Sequence, residues 1–244
     1  FILYLQDGAD SLYASFTHKL TQRWEVEDEG EVADLLNIEI SRQSASVTLR
    51  QTAYIDKLTK EWFPEGPPAH VQLNSVPHPE NIRELVIHAT GEGAAPADPT
   101  LVNKYRKLVG ALLYAATSTR PDIAYATSML CRAMSKPTDE LLAAALRVLA
   151  YLSRHRHIGL RYTPCTRPLE GFADADWAVR HSQSGFVFQL GRAAVSWGSK
   201  KQVSVALSTC EAEIMAASEA AKEAIHLRGL YNELSQGKSE PTRL

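Results

Sequence analysis

Gly171-Phe172-Ala173-Asp174-Ala175-Asp176-Trp177-Ala178 decides how this chain is read, together with the segments that follow it. Alternation over Leu169 to Ala178 predicts a strand, Ser184 to Leu190 puts Phe186 and Phe188 on one face of a second, and Ala193 to Trp197 returns as a third after the turn Gly191-Arg192. Ser208 to Leu234 then reads as one long helix interrupted only by Gly229. The expected unit is an antiparallel meander followed by a helix.

Acidic residues stand at informative places in this unit. Strand alternation places Asp174 and Asp176 on one face and Ala173, Ala175 and Trp177 on the other. Asp176 can also face solvent or cap the turn before Arg180-His181, because Asp favours turns. On the helix, Ser208-Thr209-Cys210-Glu211 matches a capping box, in which Ser208 accepts from the third helical amide and Glu211 accepts from the Ser208 amide. Glu213 has no such task. It lies beside an apolar face expected from Ile214, Ala217, Ala221 and Ile225, where it either points toward the sheet or stays solvated. Two carboxylates brought together from strand and helix can hold Mg²⁺, which takes hard oxygen ligands and uses few carboxylates, leaving positions for water and phosphate. Phosphodiester hydrolysis is the first chemistry that this pattern raises.

The 244 residues, 45% hydrophobic and 22% charged, predict a folded chain of one large domain or two ordinary ones. A formal charge of −2 excludes binding of nucleic acid by bulk electrostatics, so phosphate contacts must come from local patches. The best of these are Arg154 and Arg156 with Arg161, and separately Lys200 and Lys201; the first cluster can equally be a solvated helix end. Cys131, Cys165 and Cys210 form no close pair, which disfavours a disulfide framework and a zinc site and fits a reducing, intracellular setting. Neither a membrane span nor an export signal is expected. The chain begins at Phe1 without an initiator Met, and both ends read as interior to a longer polypeptide.

Upstream, Phe1 to Leu5 reads as a buried strand, followed by a helix whose apolar stripe is Leu12, Phe16, Leu20 and Trp24. Leu35 to Arg42 and Ser46 to Arg50 form an expected hairpin, and Gln51 to Phe63 an expected helix ended by Pro64. From Pro64 to Pro99 there are seven prolines, so continuous regular structure is not expected there. Three helices follow, Leu101 to Ser118, Pro121 to Met134 and Pro137 to Arg154, expected to pack as a small bundle.

The motif around Asp174, with Ser182 to Phe188, Val195-Ser196-Trp197-Gly198-Ser199-Lys200-Lys201-Gln202 and Val205 to Glu213, resembles the ribonuclease H region of copia-type retrotransposon Pol polyproteins. Tyr105 to Tyr114 and Thr119-Arg120-Pro121-Asp122-Ile123-Ala124-Tyr125-Ala126 resemble the helical block before it, and Asp34 to Ile40 resembles the primer-supporting hairpin of the reverse transcriptase. Asn37 replaces the usual Gly, and Cys210 and Ile214 the usual Thr and Tyr.

The resemblance implies an α+β or α/β architecture in four parts. Residues 1–63 would be the end of the polymerase palm, 64–100 a proline-rich linker, 101–165 a helical thumb or connection, and 166–244 the N-terminal part of a ribonuclease H-like mixed sheet with helices. It implies Asp174 and Glu213 as catalytic metal ligands, with Asp176 a further candidate of open role. Mg²⁺ or Mn²⁺ would be the cofactor of the complete site, and two-metal hydrolysis of the RNA strand the mechanism. The remaining two carboxylates would lie after Leu244 and the polymerase Asp pair before Phe1, so this chain alone would neither polymerise nor hydrolyse. The implied partners are an RNA/DNA hybrid or primer–template duplex and the remainder of the polyprotein, in a cytoplasmic particle or the nucleus. The alternative is an inactive relic serving at most as a binding or structural module.

Overall fold

The structure is a computed structural model that describes residues 10–25, 31–67, 76–93, 96–164, 169–178, 182–235 and 242. The expected strand at Phe1 to Leu5, Cys165 and the turn at Arg180-His181 lie outside the described residues. The chain divides into two compact units, one up to Ala33 and one from Asp34 onward. In the first, the expected helix is present as α1 (Asp10–Arg23), with Leu12, Phe16 and Trp24 of its apolar stripe exposed.

The second unit is mixed α/β, with two antiparallel sheets. The first sheet has the order β1 (Asp34–Leu35), β2 (Ile38–Gln43), β3 (Ser46–Arg50) and β4 (Leu160–Tyr162). Leu35 pairs with Ile38 across the two-residue turn Leu36-Asn37, both at positive φ. That conformation is the one a right-twisted hairpin favours and Gly or Asn tolerates best, which accounts for Asn37. The hairpin β2–β3 matches the sequence reading. Strand β4 does not, since three residues carry too little alternation to be read. Gly159 lets it approach β3: a Cβ there would sit 2.2 Å from the Leu49 carbonyl oxygen.

The helices are α2 (Thr52–Trp62), α3 (Ile82–Thr90), α4 (Pro99–Ser118), a 3₁₀ turn at Pro121–Ile123, α5 (Ala124–Cys131) and α6 (Asp139–Arg154). Pro99 occupies the first turn of α4 beneath Asp98, whose carboxylate accepts from the Leu101 amide, and the Thr138 hydroxyl caps α6 in the same way. Tyr105, Leu108 and Leu112 of α4 interlock with Met129 and Leu130 of α5 and Leu141, Val148 and Leu149 of α6. Helix α3 stands within the stretch 64–100, where continuous regular structure was not expected. It contributes Ile82, Val86 and Ala89 to this core, its apolar spacing hidden in the sequence by the prolines on either side.

The second sheet is the expected meander, β5 (Glu170–Asp176), β6 (Gln183–Leu190) and β7 (Ala193–Lys201), crossed by α7 (Thr209–Ser235). Phe188, Phe186 and Ala173 pack against Ala220 of α7. The face of α7 turned to the sheet is Ala212, Ala216 and Ala220, whereas Ile214, Ala217, Ala221 and Ile225, the expected apolar face, are exposed. Small residues let the helix lie close to the strands, and an Ala row is a weaker signal than the Ile-containing row beside it.

Candidate functional site

Alternation fixes where the carboxylates point. Ala173 faces α7, so Asp174 and Asp176 stand on the opposite face, toward the 3₁₀ turn and α5. The expectation that the two Asp residues share one face holds. Asp176 has a partner that the sequence did not reveal: its Oδ2 lies 2.8 Å from Nη1 of Arg83 on α3. Beside this pair, burial pushes the Tyr125 hydroxyl pKa up and Asp176 adds to the rise, while Arg83 and Arg132 oppose it. The neighbouring Gln183 donates through Nε2 to Ser128 Oγ on α5 and Ser199 Oγ on β7, both at 2.9 Å.

α7 covers the Ala173 face, with the buried Ala212 against the sheet and Gln202 donating to the Ala212 carbonyl, and Glu213 is exposed. Glu213 stands three and seven residues before Ala216 and Ala220, so it shares their side of α7 near the start of the helix. Glu211 is in the capping box: its amide donates to Ser208 Oγ at 3.1 Å, and its carboxylate accepts from the Leu207 amide at 2.7 Å, one residue earlier than expected. Among the described residues, no group of three or more His, Cys, Asp or Glu side chains is arranged to hold a metal ion.

Arg156 lies 3.4 Å from Asp56, both half exposed, and Arg161 is exposed on β4 opposite Thr48. Arg154 closes α6. Lys200 and Lys201 end β7 and, as adjacent strand residues, project to opposite faces of the sheet.

Sequence reasoning missed the group that organises the corner before α5. Arg120 is fully buried; its Nε and Nη2 reach the two carboxylate oxygens of Asp122 at 2.9 and 2.6 Å, and Nη1 donates to the His155 carbonyl at 3.0 Å. Tyr151 donates to the same carboxylate at 2.9 Å. A charged side chain in a core is tolerated when its donors are used in this way. The sequence signal was the Arg-Pro-Asp triplet at the end of a hydrophobic helix.

A meander with a helix across one face, preceded by a helical block, is compatible with a ribonuclease H-like fold. The retrovirus-related Pol polyprotein from transposon TNT 1-94 of Nicotiana tabacum is 32% identical over 257 residues, covering 98% of this chain and 18% of that protein. The one from transposon RE1 of Arabidopsis thaliana is 34% identical over 228 residues, covering 91% of this chain and 15% of that protein. The chain belongs to this family of copia-type transposon Pol polyproteins. It spans less than a fifth of the length of these two relatives. A shorter relative, the secreted RxLR effector protein 161 of Plasmopara viticola, is 45% identical over 128 residues, half of this chain and 90% of that protein. No protein-family model matches the chain. No solved structure matches it either.

Proposed function

We propose that this chain is the reverse transcriptase–ribonuclease H junction of a Pol polyprotein, belonging to an enzyme that copies RNA into DNA and hydrolyses the RNA strand of the hybrid. The observation that carries the proposal is the likeness to transposon Pol polyproteins over almost the whole chain, continuous across the helical block and the Asp174 meander. The primer–template duplex or RNA/DNA hybrid, the rest of the polyprotein and an intracellular setting belong to the same proposal. No helix among the described residues is long and apolar enough to cross a membrane.

The described carboxylates do not by themselves fit a two-ion site. Asp176 is paired with Arg83, and no group of three or more metal-ligating side chains is gathered among the described residues. Two-metal hydrolysis needs several oxygen ligands holding two ions a few ångströms apart, more than Asp174 and Glu213 supply. In the proposal, Mg²⁺ or Mn²⁺ binds only when further carboxylates join Asp174 and Glu213.

The test expresses the chain together with its flanking coding sequence and measures Mg²⁺-dependent cleavage of the RNA strand in an RNA/DNA hybrid. The expected result is cleavage that Asp174→Asn abolishes and negligible cleavage by the 244 residues alone. Undiminished cleavage by the Asp174→Asn protein, or robust cleavage by the isolated chain, would contradict the reading.

A further inference from the structure

At the end of β5 the sheet that carries Asp174 meets α3, the helix within the proline-rich stretch. Asp174 and Asp176 project to one face of that strand, about 7 Å apart along it. Two carboxylates so placed repel each other and attract cations. The Asp174 side chain has no hydrogen-bond or ion-pair partner among the described residues. Asp176 has one, Arg83, at 2.8 Å. The Arg83 side chain is 21% exposed against 51% for Asp176, so the guanidinium reaches the carboxylate from the protein side.

The positive charge at this corner exceeds one guanidinium. Arg132, next after α5, has no carboxylate partner among the described residues; its Nη1 donates to the Met129 sulfur at 3.4 Å, a weak acceptor. Burial, and after it the charge of Arg83, lowers the Arg132 pKa. Asp176, Arg83, Arg132 and, most weakly, Glu84 all act on the Tyr125 hydroxyl, so these groups surround one point. A divalent ion drawn to Asp174 would gain hard oxygens from a second carboxylate two residues on. There it meets a carboxylate already neutralised and a like charge a few ångströms away.

We propose that Arg83 is a positioning residue for this face: it keeps Asp176 as the anchor of α3 and so withdraws that carboxylate from any divalent ion held at Asp174. Asp176 joins an ion only when α3 draws away from the end of β5. The placement of the proline-rich stretch and the metal affinity of the sheet are thereby coupled through one ion pair. The proposal rests on the reading of Asp174 as a metal-site carboxylate and adds to it a control on how many of its neighbours can take part.

The test measures bound against free Mn²⁺ by electron paramagnetic resonance and reads the initial slope for the chain, Arg83→Gln, Arg83→Lys, and Arg83→Gln combined with Asp176→Asn. A unit charge a few ångströms from a divalent ion in water changes its affinity about threefold to tenfold once salt screening is counted, and Arg83→Gln is expected to raise the slope by that factor. Arg83→Lys keeps the charge and is expected to stay within about twofold of the parent. In the double variant the gain is expected to vanish, because Asp176 is the carboxylate released. The pair is partly exposed, so all four proteins are expected to unfold at nearly the same temperature, which separates the gain from a loosened fold. The proposal is overturned if Arg83→Gln leaves the slope at the parent value, if Arg83→Lys raises it as much as Arg83→Gln, or if the gain survives in the double variant. These readouts involve neither RNA nor hydrolysis, so their failure leaves the cleavage test of the longer polypeptide untouched, and the reverse also holds.

Discussion

The helical block and the second sheet solve the problem of burial differently. In the block, α2 to α6 enclose a continuous core of large side chains, and even the one buried guanidinium, Arg120, has its donors directed to a carboxylate and a carbonyl. The second sheet has a thin core, Leu169, Phe188 and Ala220, under a helix whose Ile214, Ile225 and Leu234 are exposed. It leans instead on the block through Trp197 to Ala116, Gln183 to Ser128 and Asp176 to Arg83. Stability is thus concentrated in the block, while Asp174 and Asp176 stand on the layer that depends on it.

The comparison breaks first at Arg120. Arg120→Met leaves Asp122 without its cation and strips the His155 carbonyl of its donor, so we expect a loss of about 3 kcal/mol in urea unfolding, the lower end for breaking a buried pair because Asp122 is partly exposed. A loss under about 1 kcal/mol, the scale of an exposed pair, would show that the buried pair does not anchor the block. Phe188→Ala removes the one large buried ring of the sheet layer and is expected to cost about 3 kcal/mol. Hydrogen exchange should then accelerate in β5–β7 and α7 ahead of α4–α6; uniform acceleration would show one cooperative unit instead.

Gly171 sharpens the same point from the opposite side. A Cβ there would sit 2.3 Å from the Phe188 ring, so Gly171→Ala is expected to cost about 1–3 kcal/mol by overpacking, and Phe188→Leu in the same chain should recover part of it. Additive losses would mean that the ring and the backbone do not compete for space. The smallest effect belongs to Arg83→Gln. Asp176 is half exposed, so the pair contributes at most about 1 kcal/mol, and thermal unfolding should barely shift. A large shift would place α3 among the elements that hold the sheet.

What could be read from the sequence follows from signal length and side-chain size. The β2–β3 hairpin, the β5–β7 meander and α4 to α6 were legible because each repeats a period over several residues or carries a cap or first-turn proline. Helix α3 was obscured by proline-rich flanks, and β4 has only three residues. The sheet-facing side of α7 was misjudged because Ala212, Ala216 and Ala220 pack by closeness rather than bulk. The shared face of Asp174 and Asp176 followed from alternation alone. The Arg83 partner of Asp176 did not, because a contact between residues so distant in sequence leaves no local pattern.

The most direct measurement is a Mn²⁺ titration of the chain followed by electron paramagnetic resonance. With Asp176 held by Arg83 and no third metal-ligating side chain beside Asp174 and Glu213 among the described residues, weak binding without a stoichiometric plateau is expected. A saturable site that disappears in both Asp174→Asn and Glu213→Gln would contradict the account, because those two carboxylates would then share an ion within these residues.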